Sequence, residues 1–340
     1  MSQTHAAPFE KYHGAGNDFV VVDASHPAVR GIPDRRAFAT TVCDRKNGVS
    51  RLQNGDDHPS RPDGGATALD GGSGSALPEG VVSEPRVGAD GVLFLDLSPE
   101  FTPARVVMTL VQPDGSVAAM CGNGARCAAQ WAHERTGETE FMIDTMAGTR
   151  YATVEPDEPG EGCVEIEMGT PRFDESVIER EIGELTVTAV DTGVPHAVAF
   201  VDDVYEIDLE SVAPPIRHAD VFPDGANVNV ASRVEESTDT GDTEDRAATF
   251  EQRTYERGVE GETRSCGTGA VAIGAVAVHL GIVEGDVVDL RPSGGELRVR
   301  VPDGEPAHLS GPVEREFTGT VLPGVAEEPG EPPAAEGSAK

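Results

Sequence analysis

The chain has 340 residues and carries 60 acidic against 26 basic side chains, a formal net charge of −34. That surplus argues against nucleic acid or an anionic membrane surface as a partner, because both are held by Lys and Arg clusters that this composition does not supply. The length points to roughly two domains, and 38% apolar residues with 40 glycines suffice for a core.

In chain order, the N-terminal stretch MSQTHAAPFEKYHG lacks a basic region followed by an apolar one, and the longest apolar run, residues 270–280, is far short of a membrane span. A cytoplasmic protein is the expectation. Strand-like runs are expected at 19–23, 91–97, 104–112, 163–168, 185–191, 197–202, 248–256, 287–291 and 297–301. Between the first two, residues 50–86 are rich in Gly, Ser, Asp and Pro without apolar periodicity and read as a disordered insert. Residues 235–246 read as a short acidic loop, and the end of the chain reads like the insert. Helices are expected to open at Cys121 and Cys266. The second, AVAIGAVAVHLG, is apolar on every face and closes with Gly281, so it should be buried all round. The three polar segments hold a minor part of the negative charge, and the rest of the chain contains only Lys11 and Lys46 as lysines. Such a surface reads as halophilic, because molar salt screens its self-repulsion.

Two pairs of segments repeat. Residues 13–24 (HGAGNDFVVVDA) resemble 192–203 (TGVPHAVAFVDD), and 121–132 (CGNGARCAAQWA) resemble 266–277 (CGTGAVAIGAVA). The pairs begin 108 residues apart in the first half and 74 in the second, and the 37-residue insert accounts for the difference. Repetition on this scale implies two similar lobes, each several short strands around one helix.

Five cysteines (Cys43, Cys121, Cys127, Cys163, Cys266) are too few and too odd in number for a disulfide framework, and none lies in a CxxC pair, so free thiols are expected. Cys121 and Cys266 each stand at the mouth of a helix between glycines. There, unpaired N–H groups and the positive end of the helix dipole stabilise a thiolate and bind a carboxylate. Duplicated lobes would set one sulfur on each side of a bound substrate. One, as thiolate, removes an α-proton, and the other, as thiol, protonates the opposite face, which is racemase chemistry. The competing reading, small buried hydrophobes capping helices, suits Cys43, Cys127 and Cys163 better than this matched pair. No Cys or His cluster has metal-ligand spacing. HGAGNDF lacks the third glycine of the dinucleotide fingerprint.

HGAGNDFVVVDA, VGADGVLFL, PDGSVAAMCGNGARC, TMAGTR, MGTPRF, TGVPHAVAFVDD, GANVNV, YERGVEGETRSCGTGA and LSGP, in that order, resemble the motifs of the diaminopimelate epimerase family, of a halophilic archaeal type. The resemblance covers residues 12–321 apart from the insert. It implies an α+β fold of two pseudo-symmetric lobes, each a curved, mostly antiparallel sheet wrapped around a central helix. The lobes would be residues 1–168 joined by 312–323, and residues 169–311, with a disordered acidic tail at 324–340. It also implies an isomerase without a cofactor that interconverts LL- and meso-diaminopimelate in lysine biosynthesis.

Carried over by resemblance, Cys121 and Cys266 are the acid/base pair, with His196 and Glu256 tuning their pKa values. The N–H groups of Gly122, Asn123, Gly267 and Thr268 hold the α-carboxylate. Asn17, Gln112, Asn227, Glu256 and Arg257 recognise the rest of the substrate. Phe317 falls where the family carries an aromatic at its dimer contact, pointing to a homodimer. Three positions depart from the family pattern: Gln112 replaces an Asn, Val194 replaces the Asn of GNPH, and Glu260 replaces a small residue. Two other functions compete. One is racemisation of a smaller, proline-like amino acid, which leaves Glu256 and Arg257 without distal groups to bind. The other is a silent acidic binding or thiol-storage protein.

Overall fold

The computed structural model describes residues 6–50, 86–156, 161–234 and 247–322. Most of the expected insert, the acidic loop at 235–246 and the tail at 324–340 lie outside the described residues.

Successive side chains of a strand point to opposite faces, and this alternation sorts the apolar residues between two cores. In strand Asn17–Asp23, Val21 faces the interior of the first lobe, whereas Val20 and Val22 face an outer layer under helix Arg35–Cys43. Strand Gly91–Ser98 does the same with Leu93 and Leu95 against Val92 and Phe94. Both strands are therefore buried on both faces and read as continuous apolar runs. The second lobe repeats the device: Val198 faces the inner core, while Ala197 and Ala199 pack beneath helix Leu209–Arg217.

The duplication is visible in the connectivity. In the first lobe, Ala7–Gly14, Asn17–Asp23, Gly91–Ser98, Ala104–Val111, Glu140–Thr145, Gly148–Pro156 and Glu161–Gly169 pair successively antiparallel, parallel, antiparallel, parallel, antiparallel and antiparallel. In the second lobe, Leu185–Asp191, Pro195–Phe200, Asn227–Arg233, Ala248–Glu256, Val287–Pro292, Leu297–Arg300 and Ala307–Val321 pair in the same order and senses. The long last strand joins the two. Its first part pairs with Glu161–Gly169 and its second with Ala7–Gly14, closing the first sheet around helix Gly122–Thr136. Arg172 and Phe173 pair with Asp191 and Val190, extending the closure to the second sheet, which surrounds helix Gly267–His279. The fold is the expected α+β pair of lobes, mostly antiparallel, each wrapped on one helix.

Besides four strands of two or three residues, five longer ones escape the sequence reading: Ala7–Gly14, Glu140–Thr145, Gly148–Pro156, Asn227–Arg233 and Ala307–Val321. Each carries polar residues that break an apolar run. Lys11, in the first, is fully buried because its ammonium pairs with the equally buried Asp18 at 2.7 Å and donates to Gly88 O. Arg45 closes on the same carboxylate with bonds of 2.7 and 2.9 Å. Burial alone would raise the Asp18 pKa, but Arg45 and Lys11 hold it well below the usual carboxylate range. This clamp anchors the corner that carries Asn17. Among the described residues no helix is long and apolar enough to cross a membrane.

Candidate active site

Both central helices begin in the same way. Cys121 is the N-cap of the first, and its Sγ accepts from Gly124 N at 3.4 Å. Cys266 is the N-cap of the second, and its Sγ accepts from Gly269 N, also at 3.4 Å. A capping thiol at these positions uses the third N–H of the helix. It leaves the N–H groups of Gly122, and of Gly267 and Thr268, for another acceptor, while the Asn123 N–H also acts on the Cys121 sulfur.

The two N-termini abut. A β-carbon on Gly267 would lie at contact distance of the other start, 3.9 Å from Gly122 Cα and 3.5 Å from Asn123 Oδ1, and would crowd Leu309 Cδ2 at 2.9 Å. Both helix mouths open on one cleft of about 440 Å³. Of the residues expected at the site, this cleft brings together Asn17, Gln112, Cys121, Gly122, Asn123, Glu256, Cys266, Gly267 and Thr268. Asn123 Nδ2 donates to Asn17 Oδ1 at 2.5 Å and reaches Ser265 Oγ at 3.3 Å. Its Oδ1 is buried with no hydrogen-bond partner among the described residues, which leaves an acceptor for a donor in the cleft. Gln112 Oε1 accepts from Ser116 Oγ at 2.8 Å.

Three expected residues lie outside this lining. His196 lines a neighbouring cavity of about 290 Å³ together with Asp224 and Gly225. Its Nδ1 faces Asn229 Nδ2 at 3.0 Å and its Nε2 faces Asn227 Nδ2 at 3.5 Å. Asn227 Oδ1 accepts from Arg257 N at 2.7 Å, and Arg257 Nη1 donates to Asp224 O at 3.3 Å. Of the adjacent pair, Glu256 lines the cleft, whereas Arg257 reaches only Asp224 at the edge of the second cavity. His196 meets the second helix only indirectly: a β-carbon on Gly269 would lie 2.4 Å from Asn229 Oδ1. Phe317 is 7% exposed and packs edge-on to Phe9 with ring centroids 6.0 Å apart, so little of it remains for a second subunit. Val194 lies in the turn ahead of His196, its carbonyl accepting from Thr192 N at 3.2 Å. Glu260 adopts φ 55° and accepts from Arg217 Nη2 at 2.8 Å, which gives this bulkier residue a partner.

Burial pushes both thiols up. For Cys121 the Gly124 N–H works against burial, Glu256 adds to it, and Arg126 opposes it. Cys266 is raised well above its ordinary value, by burial and then by the Glu256 carboxylate, against the Thr268 hydroxyl and the Gly269 N–H. Burial also raises Glu256, against the bond from Thr263 (2.6 Å) and the Cys266 thiol. Burial lowers His196 to about 3, so it is a neutral acceptor at neutral pH. Its folded pKa lies below the unfolded value, so stability is lost as pH falls from about 6.5 toward 3, where only the unfolded state takes up the proton. Exchanging His196→Gln should flatten this acid limb by about 1–2 kcal/mol between pH 6.5 and 5. Urea denaturation at the two pH values reads the difference.

Sequence reasoning missed Asp90, Ser265, Thr263 and Asn229. Asp90 Oδ2 accepts from Asn17 Nδ2 (3.2 Å) and Asp18 N (3.0 Å). Ser265 immediately precedes Cys266, and Asp90 lies in the VGADG string; adjacency to the motif residues was the available signal.

Residues 77–173 and 188–315 match the family model described as diaminopimelate epimerase. A protein of that name from Methanothrix thermoacetophila is 37% identical over 92% of this chain and 95% of the relative. Another from Methanocella arvoryzae is 36% identical over 92% and 96%. Among solved structures, a PhzF-family phenazine biosynthesis protein from Bacillus anthracis aligns with TM-score 0.57 at 14% identity, covering 94% of this chain and 99% of that one. A hydroxyproline epimerase from Agrobacterium vitis aligns with TM-score 0.53 at 19% identity, covering 93% and 91%. At such identities the likeness is one of fold.

Proposed function

This chain belongs to the diaminopimelate epimerase family, and from that premise we propose that it interconverts LL- and meso-diaminopimelate in lysine biosynthesis, by proton transfer between two thiols and the α-carbon. The family is one of isomerases acting on small amino acids. The observation that supports the two-thiol reading is the meeting of two helix mouths, each capped by a cysteine and each supplied by one copy of a duplicated lobe, at a single cleft. We take the lobes as residues 1–168 with 312–323, and residues 169–311.

In one direction the Cys121 thiolate takes the α-proton, and the electron pair left on carbon delocalises into the α-carboxylate. The Cys266 thiol then gives its proton to the opposite face, leaving a thiolate; the return reaction exchanges the roles. The N–H groups of Gly122, Asn123, Gly267 and Thr268 at the two helix starts suit a carboxylate that gains charge on the way to the carbanion, so their effect is largest in the transition state. Proton transfer of this kind requires only the two sulfurs and these dipoles, with no cofactor. The buried acceptor Asn123 Oδ1 suits an ammonium donor. Asn17, Gln112 and Glu256 complete the near pocket, and Asn227 and Arg257 reach toward the substrate's far end, where a guanidinium matches a second carboxylate.

The test is incubation with LL-diaminopimelate in deuterated buffer at molar KCl, chosen because we read the acid surplus as a salt-adapted surface. Deuterium should enter the α-position and the meso isomer should accumulate, while proline remains unlabelled. Absence of exchange with a folded protein overturns the reading.

A further inference from the structure

The duplicated lobes differ in charge around their sulfurs. Arg126 lies five residues after Cys121 on the first central helix; the residue five after Cys266 is Val271. Arg126 is 0% exposed, and its Nε, Nη1 and Nη2 have no hydrogen-bond partner among the described residues. Glycines of two strands border it, and Gly311 is the closer. A β-carbon on Gly14 would lie 3.5 Å from Nη2 and 3.6 Å from Cys127 Sγ, and one on Gly311 would lie 3.3 Å from both Cζ and Nη2. The cleft breaks the symmetry a second time. Glu256, at the end of the strand that precedes Cys266, has as its counterpart the neutral Gln112, which follows the strand preceding Cys121.

We infer that Arg126 is a positioning residue that fixes the resting proton, so that the free enzyme holds Cys121 as the thiolate and Cys266 as the thiol. This rests on the two-thiol reading above. A guanidinium out of water without a counter-ion is costly, and a buried charge is tolerated where an opposite one faces it. Burial pushes the Arg126 pKa down, and the groups that act electrostatically against this are thiols: Cys127 first, then Cys121 and Cys163. Cys121 itself feels Glu256 against Arg126, whereas Cys266 feels the Glu256 carboxylate with no compensating cation. Of the other two thiols, Cys127 also feels Asp18, and Cys163 also feels Glu155 and Arg298. Of the two capping sulfurs, the one whose helix carries a buried cation is the better site for negative charge, and the one that shares its lobe's side of the cleft with the Glu256 carboxylate is the better site for the proton.

Thiolate absorbance near 240 nm, titrated with pH on the full chain in molar KCl without substrate, tests this. The lowest-pH thiolate signal should disappear in Cys121→Ser and persist in Cys266→Ser and in Cys127→Ala. In Arg126→Met its midpoint should rise by about one pH unit or more, leaving roughly ten-fold less thiolate at a fixed pH, while Arg126→Lys restores most of it. Loss of the signal in Cys127→Ala or in Cys266→Ser, or an Arg126→Met titration that overlays wild type, overturns the inference. Should Arg126→Met fail to fold, the cysteine variants and Arg126→Lys still decide it, since a Lys midpoint raised as far as Cys266 removes the asymmetry. The titration involves no substrate, so its failure is distinct from a failure of the exchange assay.

Discussion

Cys121→Ser and Cys266→Ser should each slow interconversion of the diaminopimelate isomers by about 10²–10⁴-fold, the range typical of losing a positioned acid or base. Serine is chosen because its hydroxyl remains a good N-cap for Gly124 N and Gly269 N, so the helix starts survive and the loss reports chemistry. A hydroxyl does not ionise at accessible pH, and the proton path is broken at one end whichever variant is made. The double variant should be little slower than either single one, because two groups that act as a relay fail together. Turnover from each isomer, followed by NMR beside a thermal melt, is the measurement. A folded single variant within ten-fold of wild type would sink the relay.

The largest effect on stability is expected at Asp18. Asp18→Ala strands the Lys11 ammonium in a site where both side chains are 0% exposed, leaving it only the Gly88 carbonyl, and should cost about 3–5 kcal/mol. Lys11→Met should cost less, since Asp18 keeps its two bonds to Arg45. Urea unfolding of the two variants gives the order, and equal losses would mean that Arg45 contributes nothing to the clamp. Because the folded Asp18 pKa is depressed, its contribution is present at neutral pH and is lost only as pH falls below the unfolded value of about 3.9 toward the lower folded one. Asp18→Ala should also weaken substrate binding, since the same clamp holds the corner from which Asn17 meets Asn123.

Much of the site was legible in the chain because its signals are local. A cysteine between glycines ahead of an Ala-rich run specifies a helix start with free N–H groups, and a second copy at matched spacing specifies a second lobe. The uniformly apolar run after Cys266 announced a helix buried on every side, as found. Strands 185–191 and 248–256 are legible to the residue, because apolar and β-branched residues fill the first and Thr249, Phe250, Thr254 and Tyr255 mark the second. The Ala7–Gly14 strand was not, since a lysine inside a strand is explained only by a carboxylate brought to it from the next strand and an arginine from farther on.

What the sequence by itself determined is therefore the duplicated architecture, the two thiols and the glycine frame around them. The tertiary structure alone decided which partners those groups meet. It assigned His196 to a cavity beside the cleft, set Asn227 against that imidazole and Arg257 against Asn227, packed Phe317 inward against Phe9, and buried Arg126 on one helix where its counterpart carries a valine. These outcomes depend on closing two sheets through the pairing of strands Glu161–Gly169 and Ala307–Val321, far apart in the chain. Helix starts and apolar runs are written in neighbouring residues; which charge faces which sulfur is set by contacts that exist only once both lobes have closed.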